Sequence, residues 1–302
     1  MSLNGRLEVK GGNFAMKYTI TGATGHLGRL VVQAMLQLVA PNEIRAAVHT
    51  PAKAAHLMAQ GLEVVTADYL DVSLMKTALV GTDVLIYIPS KTYDLVQRVT
   101  ELENTLAAMQ QAQVKKIIFV SFFADQANNP FRMSAYYGYV PRRLAASEFD
   151  YAIVKNALYA DPLVPYLPEL IQRHNIIYPV GQQPLAFITQ QDSAAAIAKL
   201  AVQPQLRDHG QTYLLSQMQN YTMPQLAEIM TTVTGEPIGY QPVTLAEFAA
   251  IYAAEGDGQE LASMYHAGAL GLLADVSTDF ARITGQQPQG MREFLAANYR
   301  TV

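Results

Sequence analysis

Three observations predict an α/β protein built on a parallel sheet wound in both directions. Short apolar runs without polar alternation recur through the first half of the chain, as strands buried on both faces require. Stretches with helical spacing lie between them, which is the alternation of a sheet sandwiched by helices. A glycine-rich turn, Thr21-Gly22-Ala23-Thr24-Gly25-His26-Leu27-Gly28, joins the first run to the first helix. This is the plan of a doubly wound Rossmann sheet. After residue 160 the rhythm changes, and from Thr222 the signals are helical, so a smaller, mostly helical C-terminal lobe is expected.

The elements follow in order. Residues 1–15 are polar and glycine-rich, fit no periodic pattern, and read as an upstream leader or a cloning remnant, with Met16 a natural start. Residues 18–21 form the first strand. Leu27, Leu30, Val31, Ala34 and Leu38 lie at helical spacing across residues 27–40, and Pro41 and Asn42 stop that helix. Residues 44–48 form the second strand, and Pro51 opens the next helix from its first turn. Residues 62–66 form the third strand, followed by Asp71 as a helix N-cap. The fourth, fifth and sixth strands fall at 84–88, 116–120 and 151–154, with a long helix over 91–111. Residues 161–168 carry three prolines in eight positions and are expected not to form one regular helix. Residues 176–180 and a helix over 192–202, capped by Asp192, return to the sheet. Helices over 226–233, 245–254, 260–273 and 291–299 make up the lobe. The expected division is a dinucleotide-binding domain over 16–160, rejoined by 175–203, and a substrate-side lobe over 161–174 and 204–302.

Composition narrows the function. Of 302 residues, 50% are hydrophobic and 15% charged, enough apolar material for a sizeable core. The 21 basic and 25 acidic side chains give a net charge of −4 without any Lys/Arg run, so no nucleic-acid partner is expected. The absence of cysteine excludes thiol catalysis, disulfides and Cys-ligated zinc. The six histidines show no His-x-x-x-His spacing, so no metal site is expected. No apolar stretch approaches the ~18 residues of a membrane helix. The expected location is the cytoplasm.

The glycine turn has a specific chemistry. Gly22 permits a tight turn, Gly25 removes a side chain that would block a pyrophosphate, and Gly28 lets the helix pack on the sheet. The helix N-terminus, reached through Thr21, Thr24, His26 and Leu27, then offers free N–H groups and the positive end of its dipole to an anion. At the end of the second strand, where an acid would select NAD(H), stand His49, Thr50 and Lys53. These suit the 2′-phosphate of NADP(H) better than the ribose of NAD(H). Asp68, after the third strand, either meets the adenine end or forms a turn.

The run TGATGHLG, with residues 49–53, 67–69 and the segment Val154-Lys155-Asn156-Ala157-Leu158-Tyr159, resembles the NmrA-like atypical short-chain dehydrogenases. Within that group the chain is most similar to type 2 quinone oxidoreductases and triphenylmethane reductases. The resemblance implies NADPH along the glycine turn, with Tyr87, Ile88, Pro89, Ser90 and residues 121–123 bordering the nicotinamide. Asn156 and Tyr159 would border the substrate. Members of the family often carry Arg where His49 stands.

Many short-chain dehydrogenases donate a proton from a Tyr-x-x-x-Lys pair. Here Gly138 and Arg142 occupy those positions, and Pro141 makes a regular turn linking Tyr139 to Arg143 doubtful. The missing pair argues against nucleotide-sugar epimerase or alcohol dehydrogenase chemistry. A flat quinone needs only stacking beside the nicotinamide and one proton donor. Tyr87, Phe122, Phe123, Phe131, Tyr136, Tyr137, Tyr139 and Tyr159 offer an aromatic pocket, although Phe122 and Phe123 fit the core equally well. Ser121, Lys155 and Asn156 supply polar contacts, and Ser121 could instead cap a turn. The sequence therefore reads as an NADPH-dependent reductase of a small aromatic or quinone-like acceptor. The alternative is a non-catalytic NADP(H) redox sensor acting on a regulatory protein partner. Whether the chain forms a homodimer stays open.

Overall fold

The computed structural model describes residues 16–299, so the expected leader at 1–15 lies outside the described residues. The strands are β1 (Tyr18–Thr21), β2 (Ile44–Val48), β3 (Glu63–Thr66), β4 (Val84–Tyr87), β5 (Lys116–Phe122), β6 (Asp150–Asn156), β7 (Leu158–Tyr159), β8 (Asn175–Ile176), β9 (Leu185–Ile188), β10 (Gln211–Leu215), β11 (Asn220–Tyr221) and β12 (Gly239–Tyr240). Seven of them form the central sheet in the order β10-β6-β5-β4-β1-β2-β3, every pairing parallel. All four residues of β1 and of β4 are buried; β4 is apolar throughout, whereas in β1 the buried Thr19 and Thr21 alternate with Tyr18 and Ile20 and pair their hydroxyls with Thr82 Oγ1 at 2.7 Å and Ile88 N at 2.9 Å. The winding reverses between β1 and β4, and the crevice at the carboxyl ends of these strands is where an open α/β sheet places its ligand.

The helices are α1 (His26–Leu36), α2 (Ala55–Ala59), α3 (Val72–Leu79), α4 (Leu95–Gln111), α5 (Ser134–Ala145), α6 (Leu163–Arg173), α7 (Gln190–Ala201), α8 (Pro204–Arg207), α9 (Met223–Thr234), α10 (Leu245–Ile251), α11 (Gly258–Ala269), α12 (Asp279–Thr284) and α13 (Met291–Asn298). Asp71 caps α3 as expected, accepting from Leu74 N at 2.9 Å. The long helix starts at Leu95, four residues later than predicted, because Asp94 caps it by accepting from Gln97 N at 2.9 Å.

Proline misled the sequence reading twice. The proline-rich stretch does form a helix, α6: Pro162 is its N-cap and Pro165 lies in its first turn, where the missing N–H has no intrahelical partner to lose. Only Pro168 interrupts the ladder. In α5, Pro141 is likewise absorbed inside a continuous helix. Asp192 is not the cap of α7. Thr189 is, and it accepts from Asp192 N at 3.0 Å, while the Asp192 carboxylate accepts from Gln289 N at 2.9 Å.

After β6 the chain leaves the sheet and then returns. Helix α7 packs on α1, and β10 pairs with β6 from Gln211↔Ala152 to Leu215↔Asn156. The stretch 204–302 assigned to the lobe thus contributes the outer strand of the central sheet. The expected return of 176–180 is instead a two-stranded pairing of β8 with β12. Strands β11, β9 and β7 form a third small sheet. No helix among the described residues is long and apolar enough to cross a membrane.

Candidate functional site

The glycine turn is fixed by backbone geometry. Gly22 sits at φ +62°, a left-handed conformation that costs glycine little, and its carbonyl accepts from Gly25 N at 2.9 Å. A Cβ on Gly28 would lie 2.1 Å from Gly22 O and 2.8 Å from Ala23 Cα. The third glycine therefore lets α1 approach the turn, rather than the sheet as expected. Gly25 enters α1 in an extended conformation without a side-chain cap, and the first turn of the helix carries no acid. Its leading N–H groups are free to face an anion.

Around the turn, the predicted residues divide. Gly25 and His26 are exposed and Thr24 half-buried, while Leu27 is buried in the core. Thr21, 1% exposed, accepts from Ile88 N at 2.9 Å and so fastens β1 to the end of β4. Ile88 and Pro89 are half-buried, and the Ile88 carbonyl accepts from the Tyr69 hydroxyl at 2.6 Å. Asp161 accepts from Gln190 N at 2.8 Å. Burial raises its carboxyl, opposed by that backbone N–H.

At the far end of β2, His49, Thr50 and Lys53 are all exposed, and the segment itself carries no acid, but Asp68 reaches it from after β3. Asp68 is a turn residue: one oxygen accepts from Leu70 N at 2.9 Å, and the other lies 3.7 Å from His49 Nε2.

On the acceptor side of the crevice the outcome is mixed. Phe122 meets Phe131 and Tyr137 edge-on, with centroids 5.9 and 5.7 Å away, and Phe131 stacks on Tyr137 at 6.3 Å. Phe122 and Tyr137 are half-buried, whereas Phe123 is 3% exposed and belongs to the core. Tyr159 is half-buried; burial raises its phenol, the Ser193 hydroxyl opposes this, and Tyr137 and Asp161 add to it.

Five expected site residues turn elsewhere. Tyr87 is fully buried and stacks on Phe119 at 5.4 Å, so its ring lines the core and not a pocket. Tyr139 donates to Glu103 at 2.7 Å, beside the Arg143–Glu103 ion pair at 2.8 Å, and ties α5 to α4. Asn156, 1% exposed, donates to Ser121 O at 3.4 Å and accepts from Ser193 Oγ at 2.7 Å, joining β5, β6 and α7. Ser121 is 5% exposed beneath the same junction. Lys155 is paired with Asp125.

Residues the sequence reading missed sit on α4. Arg98, 6% exposed, donates to the Ser90 carbonyl and, at 3.3 Å, to the Tyr137 hydroxyl. Glu101, 2% exposed, accepts from Ser90 Oγ at 2.6 Å and Gln97 Nε2 at 2.8 Å. In the sequence both read as ordinary polar positions of an amphipathic helix. Among the described residues, no group of three His, Asp or Glu side chains is placed to hold a metal ion.

Comparison with known proteins places this arrangement in a group. A Staphylococcus aureus protein described as a nucleoside-diphosphate-sugar epimerase shares 40% identity and superposes with a TM-score of 0.89 over 93% of this chain and 100% of its own. Escherichia coli quinone oxidoreductase 2 is 32% identical over 81% of this chain and 84% of its own. The Citrobacter sp. triphenylmethane reductase, solved with NADP(H), gives a TM-score of 0.87 at 26% identity over 93% of this chain and 100% of its own. The NmrA-like family matches residues 16–295, and with the glycine turn and the doubly wound sheet in place, the chain belongs to that family.

Proposed function

We propose that the protein is an NADPH-dependent reductase that passes hydride to a quinone or related flat, conjugated acceptor. One observation carries this reading: an uncapped glycine turn and a half-buried aromatic cluster lie at the carboxyl ends of the same sheet. The turn fits a dinucleotide, because a Cβ at Gly28 would collide with it and the first helical N–H groups have no side-chain cap. Gly22, Gly25 and the backbone of Thr24, His26 and Leu27 hold the pyrophosphate. His49, Thr50 and Lys53 meet the 2′-phosphate, in a segment that carries no acid of its own, with Asp68 3.7 Å from His49 Nε2 as the nearby carboxylate. When bound, the reduced nicotinamide supplies a hydride. Phe122 and Tyr137, backed by the buried Phe131, hold the acceptor flat and keep water from it. These acceptor residues belong to 16–160, and the C-terminal lobe abuts their loop through the Arg132–Glu260 ion pair at 2.8 Å.

Relatives support this reading by what their names share. The E. coli quinone oxidoreductase, the Xenophilus azovorans azoreductase and the triphenylmethane reductase are all named for conjugated acceptors. Epimerase chemistry would need a tyrosine at Gly138 and a cation over it. Arg142 is instead exposed and donates to the Gly138 carbonyl at 2.7 Å.

The test is a titration with NADPH and with NADH, followed by stopped-flow oxidation of the bound NADPH by a quinone panel. Preferential NADPH binding with rapid oxidation is expected. Binding without oxidation by any acceptor would transfer the assignment to an NADP(H) sensor, and no binding of either nucleotide would overturn it.

A further inference from the structure

Arginine only donates hydrogen bonds. With Arg98 Nη2 at 3.3 Å, the Tyr137 oxygen is the acceptor, and the phenolic hydrogen has no acceptor among the described residues. Arg98 is held in place: its Nη1 donates to Ser90 O, and its guanidinium lies over the Tyr136 ring, 5.0 Å from the centroid. Glu101 sits one turn further along α4, but its carboxylate is engaged by Ser90 Oγ and Gln97 Nε2, and among the described residues Arg98 makes no salt bridge. The Tyr137 ring is clamped by Phe122 and Phe131 and half-buried, so its hydroxyl has a fixed place in the crevice wall. The phenols of Tyr93, Tyr136 and Tyr159 lie within electrostatic reach of it.

We infer that Tyr137, oriented by Arg98, is the proton donor to the reduced acceptor. It takes the role that Gly138 and Arg142 leave vacant one position along the same helix. This rests on the reductase reading above. Two electrons and one proton reach a quinone as hydride from a reduced nicotinamide dinucleotide, leaving a hydroquinone monoanion. The Tyr137 O–H bond breaks and a new O–H bond forms on the acceptor oxygen. The phenolic oxygen stays hydrogen-bonded to Arg98 Nη2 at 3.3 Å, and solvent water restores its proton.

The test compares two acceptors. A neutral benzoquinone needs the proton, whereas a cationic triarylmethyl dye becomes neutral on accepting hydride and needs none. Any packing effect of a variant acts on both, so the ratio of their single-turnover rates reads the hydroxyl alone. In Tyr137→Phe the quinone-to-dye ratio should fall about 10²-fold. Calorimetric binding of hydroquinone to the cofactor-free protein should weaken about fivefold in the same variant. Arg98→Met should lower the ratio about tenfold and Arg98→Lys should recover part of it; if the buried Arg98 variants do not fold, Tyr137→Phe carries the test alone. A wild-type protein that reduces both acceptors, with an unchanged ratio in Tyr137→Phe, overturns the proton donor and leaves the reductase standing. A wild-type protein that oxidises NADPH with neither acceptor overturns the reductase, and equal hydroquinone affinity in wild type and Tyr137→Phe then overturns the donor as well.

Discussion

The phosphate end and the acceptor end of the crevice are made of different material. At the glycine turn the chain presents backbone: an uncapped helix start, a left-handed Gly22, and a Gly28 whose missing Cβ is what allows the helix to approach. At the acceptor end it presents side chains from separate segments, with Phe122 at the end of β5, Phe131 in the following loop, Tyr137 on α5 and Arg98 on α4. A backbone site tolerates almost no substitution at a few positions. A side-chain site can be rebuilt one residue at a time, which is how one fold comes to serve several acceptors.

Substitutions at the two ends should therefore separate cofactor binding from acceptor handling. The largest effect is expected from Gly28→Ala, whose added carbon would lie 2.1 Å from Gly22 O. It should lose about 3 kcal/mol of stability and its NADPH binding together, read by urea denaturation and nucleotide titration. Normal binding in this variant would break the distinction between the two ends. Phe122→Ala should raise the quinone KM about tenfold while NADPH affinity stays at the wild-type value, because the lost contact is with the acceptor alone. A matching fall in NADPH affinity would show that the two ends are one site.

Lys53→Ala should weaken NADPH about fivefold and leave NADH unchanged, with a difference that shrinks as salt is added. Equal effects on both nucleotides would remove Lys53 from the 2′-phosphate.

The smallest effect concerns Asp161, whose carboxyl burial raises above its ordinary 3.8. A folded-state pKa above the unfolded one means that stability present below pH 3.8 is lost as the pH rises through the raised value. Asp161→Asn should escape that loss, so the wild type should fall relative to the variant as the pH climbs out of the acid range. Parallel stability curves across that range would show that burial does not perturb this carboxyl.

The same contrast explains what the sequence disclosed. Strand β4 stands where its apolar run puts it, since Val-Leu-Ile-Tyr buried on both faces has no polar position to alternate. The glycine turn was legible because only glycine satisfies its backbone. Side-chain direction was not. Tyr87, Tyr137 and Tyr139 look alike in the sequence, yet one lies in the core, one at the crevice and one against Glu103. Which of them faces the crevice is set by how α5 and the end of β4 are rotated against their neighbours, a tertiary property. Arg98 was invisible for a related reason, because an arginine on an amphipathic helix is ordinarily solvated. The prolines of α6 erred in the other direction: a residue that breaks a helix interior is at home in its first turn.

The late return of β10 has a consequence for the life of the chain on the ribosome. Strand β6 ends at Asn156, but the strand that covers its outer edge begins at Gln211. Until that later segment is synthesised, β6 presents an open row of backbone donors and acceptors to any neighbouring nascent chain. Fragments ending near residue 160 should be aggregation-prone even though they contain the whole glycine turn, and a protease cut between α7 and β10 should unravel the sheet from that edge inward.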